Sequence, residues 1–226
     1  TTPDAARFDV HITDRKTGAE TIFKDLALSM LGDHNVQNAL AAIAIADEMN
    51  VGEDVIRRSL ASFEGVNRRF TRTGQIDDIT IIDDYGHHPV EIAAVLKTAR
   101  EASKGKVIAV VQPHRYTRLA DLFEGFCRCF NDADAVVVAD VYEAGEAPID
   151  GIHRDALVEG LERHGHRTVR ALGAPEDLAG IINALAAPGD MVVCLGAGDI
   201  TRWAQELPDQ LRRERNAGRE AANDVS

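Results

Sequence analysis

Two tracts of the chain concentrate side chains able to bind anions or move protons. Asp83-Asp84-Tyr85-Gly86-His87-His88-Pro89 gathers two carboxylates, a phenol and two imidazoles, and Gln112-Pro113-His114-Arg115-Tyr116-Thr117-Arg118 adds an imidazole and two guanidiniums. Arg115 and Arg118 stand three apart at a helix start, so they can converge on one target, and guanidinium forks match a carboxylate or phosphate. The plain alternative is two ordinary surface basic residues. Adjacent histidines diverge, and no third ligand stands at a metal-site spacing, so an orienting or hydrogen-bonding role is favoured for one of the two and no metal site is expected. The other is read as packing. Asp83 and Asp84 either cap the turn before Pro89 or face a ligand, since a carboxylate at such a strand end is the usual partner of ribose hydroxyls.

Each tract follows an apolar run. Ile79–Ile82, Val107–Val111, Ala135–Ala139, Thr168–Ala171 and Met191–Leu195 read as strands, with helical patterns near 90–102, 118–130, 154–164, 175–186 and 199–207. Repeated βα units with continuous apolar strands predict an α/β, Rossmann-like, mostly parallel sheet with helices on both faces. The carboxyl ends of its strands share one rim, where ligands of open α/β sheets bind. That rim also collects Asp140-Val141-Tyr142-Glu143 and Gly196-Ala197-Gly198-Asp199. The last is a generic strand-to-helix turn with Asp199 as N-cap and carries little alone.

Upstream, Phe8, Val10 and Ile12, a turn through Asp14 to Gly18, and Thr21-Ile22-Phe23 read as a hairpin. After the run Leu26–Leu31, Gly32-Asp33 opens a helix with Asp33 as N-cap, and a second helix follows over about 54–63. Gly65-Val66-Asn67-Arg68-Arg69-Phe70 leads out of this block. Asn35 and Asn38, at i and i+3, can read a nucleobase edge or simply cap and face solvent. Arg68 and Arg69 reach a phosphate or anchor the linker. The expected organisation is 1–70, the end of an α/β ATPase domain; 71–210, the Rossmann-like domain; and 211–226, a charged tail read as a frayed helix end after Pro208 and then disorder.

Composition excludes several classes of function. With 37 acids against 25 Lys plus Arg, the formal net charge of −12 repels nucleic acid and anionic membrane except where basic groups are locally concentrated. No apolar run approaches the ~20 residues of a membrane span. Cys127, Cys129 and Cys194 are odd in number and lack CxxC spacing, which fits reduced thiols in a cytoplasm. The chain opens at Thr1 with no initiator Met and reads as an internal fragment of a longer protein.

Taken in order, Gly32-x-His34-Asn35-x-x-Asn38-Ala39, Arg68-Arg69-Phe70, the Asp83–Pro89 tract, the Gln112–Arg118 tract and Gly196-Ala197-Gly198-Asp199-Ile200 resemble the Mur ligases from about Phe8 to Leu207. The Tyr85–His88 and Pro113–Tyr116 elements point within that family to the member that joins L-alanine to UDP-N-acetylmuramate. The resemblance implies ATP and Mg²⁺, an acyl-phosphate intermediate and a role in peptidoglycan synthesis. It implies adenine contacts from Asn35 and Asn38, ribose contact from Asp84, and Tyr85 beside the nucleotide. Arg69 would reach the γ-phosphate, and His87, His114, Arg115 and Arg118 would hold the amino-acid or muramoyl carboxylate end. Arg69 and His87 are thereby the catalytic candidates; Arg68 receives no role. Asp33 departs from the uncharged or basic residue often found in such ligases. No G-x-x-x-x-G-K-[ST] sequence occurs, so the P-loop and metal ligands of such enzymes are missing and the chain is expected to be inactive alone. A free-standing Rossmann-like nucleotide-binding or regulatory module is the alternative. A nicotinamide-dependent oxidoreductase is disfavoured, because no G-x-G-x-x-G follows the first strand of the βα series.

Overall fold

A computed structural model describes residues 5–30, 32–63 and 67–223. Thr1-Thr2-Pro3, Leu31, Gly65-Val66, the His34 side chain and the last residues of the tail lie outside that description. The chain divides between Asn67 and Arg68 into two compact units.

In the first unit, β1 (Ala6–Thr13) and β2 (Glu20–Leu28) pair antiparallel, as their alternation predicts. The turn closes on Asp14, whose Oδ1 accepts from the backbone N–H of Lys16 at 2.7 Å and of Thr17 at 3.3 Å. Helices α1 (Asp33–Glu48) and α2 (Glu53–Ala61) follow, and Val10, Phe23, Leu26, Ile43 and Ile56 form the core. The N-cap of α1 is Gly32, at φ 95°, rather than Asp33. Asp33 instead lies in the first turn, where its charge favours the positive end of the helix dipole.

The second unit contains β3 (Thr71–Ile76), β4 (Ile79–Asp84), α3 (Pro89–Ala102), β5 (Val107–Val111), α4 (Tyr116–Asp121), α5 (Phe123–Arg128), β6 (Ala135–Val138), α6 (Arg154–Arg163), β7 (Val169–Ala171), α7 (Leu178–Leu185), β8 (Met191–Leu195) and α8 (Ile200–Asn223). Its six-stranded sheet runs β3-β4-β8-β5-β6-β7, with β3 antiparallel and every other pairing parallel. Alternate strand residues serve opposite faces. Val107, Ala109 and Val111 pack with Leu96, Phe126 and Leu161 from α3, α5 and α6, while Ile108 and Val110 pack with Ile182 and Leu207 from α7 and α8. From β4 the chain steps past the future place of β8 to β5, then to β6 and β7, and α7 returns it to β8 between β4 and β5. That reversal makes a topological switch point, which opens a crevice at the carboxyl ends.

Two expectations need correction. Strand β3 was not anticipated: Thr71-Arg72-Thr73-Gly74-Gln75-Ile76 lacks an apolar alternation, and its hairpin to β4 turns through Asp77 and Asp78, both at positive φ, rather than through the usual Asn-Gly. The tail beyond Pro208 is helical through Asn223 rather than disordered. Leu207 and Leu211 are fully buried, and Arg215, one turn further on, meets Asn183 Oδ1 at 2.9 Å and Asp77 Oδ2 at 3.1 Å. The 3.6-residue stripe thus runs through the proline and outweighs the mixed charge around it.

Pro208 has no N–H for the carbonyl of Ala204, four residues earlier. A bulge in β3 between Arg72 and Gly74 turns Thr73 toward α8, and Thr73 Oγ1 donates to that carbonyl at 2.8 Å. Gly74 makes room for the ring, since a Cβ there would stand 2.6 Å from Pro208 Cγ. Replacing Thr73 by Val should therefore cost about 1 kcal/mol in urea unfolding. The same substitution in a Pro208→Ala background should cost clearly less, because the helix then supplies its own donor; equal costs in both backgrounds would contradict the account.

Candidate functional site

The rim of the second unit is organised by two adjacent carboxylates at the end of β4. Strand alternation sends Asp83 to the α8 side and Asp84 to the α3 side, and both are buried, at 2% and 0% exposure. Asp83 Oδ2 accepts from Thr201 Oγ1 of α8 and lies 3.6 Å from Arg68 Nε. Arg68 also donates to the carbonyl of Gly196 at 2.5 Å, and its own carbonyl accepts from Tyr85 N–H at 2.7 Å. Arg68 is thus the clasp that holds the lead-in to β3 against the ends of β4 and β8.

Asp84 accepts from Phe70 N–H through Oδ2 and from Gly86 N–H through Oδ1, both at 2.7 Å. Burial pushes its carboxyl up to about 6, against the pull of those two donors and of Arg69. Both carboxylate oxygens of Asp84, expected at the ribose, are in this structure hydrogen-bonded to backbone, one to the lead-in to β3 and one to the loop after β4. What the loop presents outward is Tyr85, 38% exposed, with the Arg68 and Arg69 guanidiniums 4.9 and 5.7 Å from its ring centroid. Arg69 makes no hydrogen bond or ion pair among the described residues.

From Tyr85 a ladder of rings crosses the rim. Tyr85 meets His87 edge-on at 5.1 Å, His87 lies 5.9 Å from His114, and His114 stacks on Tyr142 at 5.3 Å. His87 Nδ1 sits 2.9 Å from the Tyr85 carbonyl, and Glu91 Oε2 accepts from the His87 N–H at 3.2 Å. His88 is not a packing residue. It is the N-cap of α3, accepting from Val90 N–H at 3.3 Å and forming a capping box with Glu91. Burial, followed by the charges of Arg118, His87 and Arg115, holds His114 below the ordinary histidine range, so it is neutral at pH 7.

The two arginines after β5 are engaged differently in this structure. Arg118 is turned inward, donating to the His114 carbonyl at 2.9 Å and lying 3.3 Å from its Nδ1. Arg115 is the N-cap residue of α4 at φ 74°, a strained position for a side-chain-bearing residue, and it is exposed with no partner for its guanidinium among the described residues. Gln112, 5% exposed, ties β5 to α8 by donating to Asp199 Oδ1 at 2.6 Å and accepting from Ile200 N–H at 3.2 Å. The start of α8 is therefore capped from a neighbouring strand end, a role that local sequence does not reveal. Beside Tyr142, a cleft of about 620 Å³ opens along the same edge, with Asp140, Glu143, Asp199 and Trp203 among its lining residues.

In the first unit, Asn35 is buried in the opening turn of α1 and Asn38 is exposed on the following turn. Among the described residues, no group of three His, Cys, Asp or Glu is placed to hold a metal ion, and no helix is long and apolar enough to cross a membrane. The three cysteines are buried and unpaired.

A doubly wound α/β unit with basic and aromatic groups on the rim at its switch point has the architecture on which open α/β sheets bind their ligands. A family model described as "Mur ligase, glutamate ligase domain" matches residues 68–198, and the chain belongs to the Mur ligase family. It is 63% identical over 208 residues to the UDP-N-acetylmuramate–L-alanine ligase of Bradyrhizobium sp. (strain BTAi1), and 64% identical over 209 residues to that of Acidiphilium cryptum. Each match takes in 92% of this chain but 44% of the relative, so the chain spans less than half the length of these relatives. Among solved structures, the UDP-N-acetylmuramate–alanine ligase of Thermotoga maritima matches 92% of this chain and 44% of its own, with TM-score 0.72 and 26% identity. A murein peptide ligase from Psychrobacter arcticus matches at TM-score 0.65 and 25% identity, over 92% of this chain and 42% of its own.

The buried Asp84 yields a pH test. Its pKa is raised in the folded chain, so its contribution to stability is full below the unfolded value near 4 and is lost as pH rises through about 6. The stability of Asp84→Asn relative to the parent chain should accordingly improve by about 1–3 kcal/mol between pH 4 and pH 7. Urea midpoints at the two pH values measure this. A change of opposite sign would mean that the two backbone donors outweigh burial.

Proposed function

We propose that this chain is the carboxyl-terminal part of an ATP-dependent ligase that joins L-alanine to UDP-N-acetylmuramate in the cytoplasmic stage of peptidoglycan synthesis. The observation that carries the reading is the 63–64% identity to relatives of that name across 92% of the chain, motifs of the rim included. In the reaction the lactyl carboxylate of UDP-N-acetylmuramate attacks the γ-phosphorus of ATP, giving an acyl phosphate and releasing ADP. The alanine amine then attacks the acyl carbon, and the tetrahedral intermediate loses a proton and expels phosphate to leave the amide. Mg²⁺ accompanies ATP and neutralises phosphate charge; none of the described residues is assigned to it.

The side chains of this chain supply position and charge. Tyr85 offers its exposed ring to the nucleotide, and Arg69, which lies by that ring and makes no hydrogen bond or ion pair among the described residues, is suited to the γ-phosphate. Asn35 and Asn38 are assigned to the adenine edge. Asp84 works at one remove, fixing the backbone between Phe70 and Gly86. Arg115 is the guanidinium available to a carboxylate, and His114, neutral and backed by Arg118, can donate or accept beside it. His87 lies between the two ends and is the residue able to contact both the acyl group and the incoming amine. A free-standing binding module gains no particular support from the geometry.

In the full-length ligase, Arg115→Ala should raise KM for L-alanine about 10- to 100-fold, the worth of one charge-assisted hydrogen bond, with KM for ATP changed less than about twofold. Tyr85→Ala should reverse that pattern. Steady-state phosphate release with each substrate varied in turn measures both, and equal effects on the two substrates would count against the division of the rim. The chain as given should release no ADP above a buffer control when supplied with ATP, UDP-N-acetylmuramate and L-alanine; turnover would refute the assignment of phosphate chemistry to the remainder of the enzyme.

A further inference from the structure

Tyr142 comes from the loop after β6, a part of the rim with no assigned role. Its backbone brackets the β5–α4 loop: Tyr142 N–H donates to the Pro113 carbonyl at 2.8 Å, and Arg115 N–H donates to the Tyr142 carbonyl at 2.8 Å. Its ring lies nearly parallel to His114, at an interplanar angle of 18°. The ring also abuts the β8–α8 turn, where a Cβ on Gly198 would come within 2.7 Å of Tyr142 Cγ and Cδ2. One residue thus joins its own loop to two other loops of the rim, and it sits where the strained backbone of Arg115 needs restraint.

We propose that Tyr142 is a positioning residue: its ring, wedged between His114 and Gly198, fixes the imidazole and the Arg115 backbone in the orientation that receives the substrate carboxylate. The aromatic face carries this role and the hydroxyl does not, because no hydrogen bond from the hydroxyl to the described residues contributes to the stack. The functional half of the proposal rests on the carboxylate role given to Arg115 above; the structural half does not.

The test separates the two. In the 226-residue chain, the carbon-bound ring protons of His114 should show the ring-current shift of a stacked partner, and its titration should lie below that of an ordinary histidine. The charged or titratable groups around it are Arg118, His87, Arg115 and Glu146, and none of them is altered by the variants. Tyr142→Phe should keep both signatures. Tyr142→Leu, which retains bulk without a flat ring, should lose the ring-current shift and raise the His114 titration as water gains access. Thermal melts confirm that each variant is folded, and Tyr142→Ala serves as a second ring-deleting variant. In the full-length ligase, Tyr142→Leu should raise KM for L-alanine about tenfold and leave KM for ATP unchanged, with recovery in Tyr142→Phe. An unchanged His114 spectrum in folded Tyr142→Leu overturns the proposal whatever the kinetics. Altered His114 signatures with unchanged KM would leave the wedge standing and count against the carboxylate role of Arg115.

Discussion

Burying two neighbouring carboxylates at the end of one central strand is the constraint from which the rest of the rim follows. A buried carboxylate is costly unless donors meet it. Strand alternation sends Asp83 and Asp84 to opposite faces, so one set of donors cannot serve both. Asp83 takes Thr201 from α8 and the flank of Arg68; Asp84 takes the backbone of Phe70 and Gly86. Meeting these needs clamps residues 68–70 and the loop after β4 onto the sheet edge. Arg69 is then left beside the Tyr85 ring, and His87 is carried toward His114.

The arrangement also concentrates arginines on one edge of a chain of net charge −12. Of the arginines near the rim, Arg68 is used on Asp83 and Gly196, and Arg118 on His114. Arg69, beside Tyr85, and Arg115, beside His114 and Tyr142, make no hydrogen bond or ion pair through their guanidiniums among the described residues, and the proposed function assigns these two to ligand. The ring ladder separates these two guanidiniums, which fits the proposed division of the rim between a phosphate and a carboxylate.

Much of this was legible in the sequence, for physical reasons that differ from residue to residue. Strands β5 and β8 match the apolar runs residue for residue because central parallel strands are buried on both faces, and the chemistry-bearing tracts stood out because they follow such runs. Edge strand β3, polar and glycine-bearing, leaves no such trace. The continuation of α8 past Pro208 depends on Thr73 and Gly74, more than a hundred residues earlier, which local reading cannot pair with it. Arg68, Gln112 and Tyr142 escaped assignment for the same reason: each works on a different loop, and only the fold brings the partners together. At Asp84 the sequence marks a carboxylate at a strand end but not its partners, which the fold shows to include the backbone of Phe70 and Gly86.

The most direct test of the central claim, that this rim receives nucleotide at one end of the ring ladder and carboxylate at the other, is a crystal structure of the full-length ligase with a non-hydrolysable ATP analogue and L-alanine. The account predicts the nucleotide against the Tyr85 ring with Arg69 turned to its phosphates, the alanine carboxylate within hydrogen-bonding reach of Arg115, and Asp84 still holding Phe70 and Gly86. Both ligands bound with Tyr85, His114 and Arg115 facing solvent would contradict it.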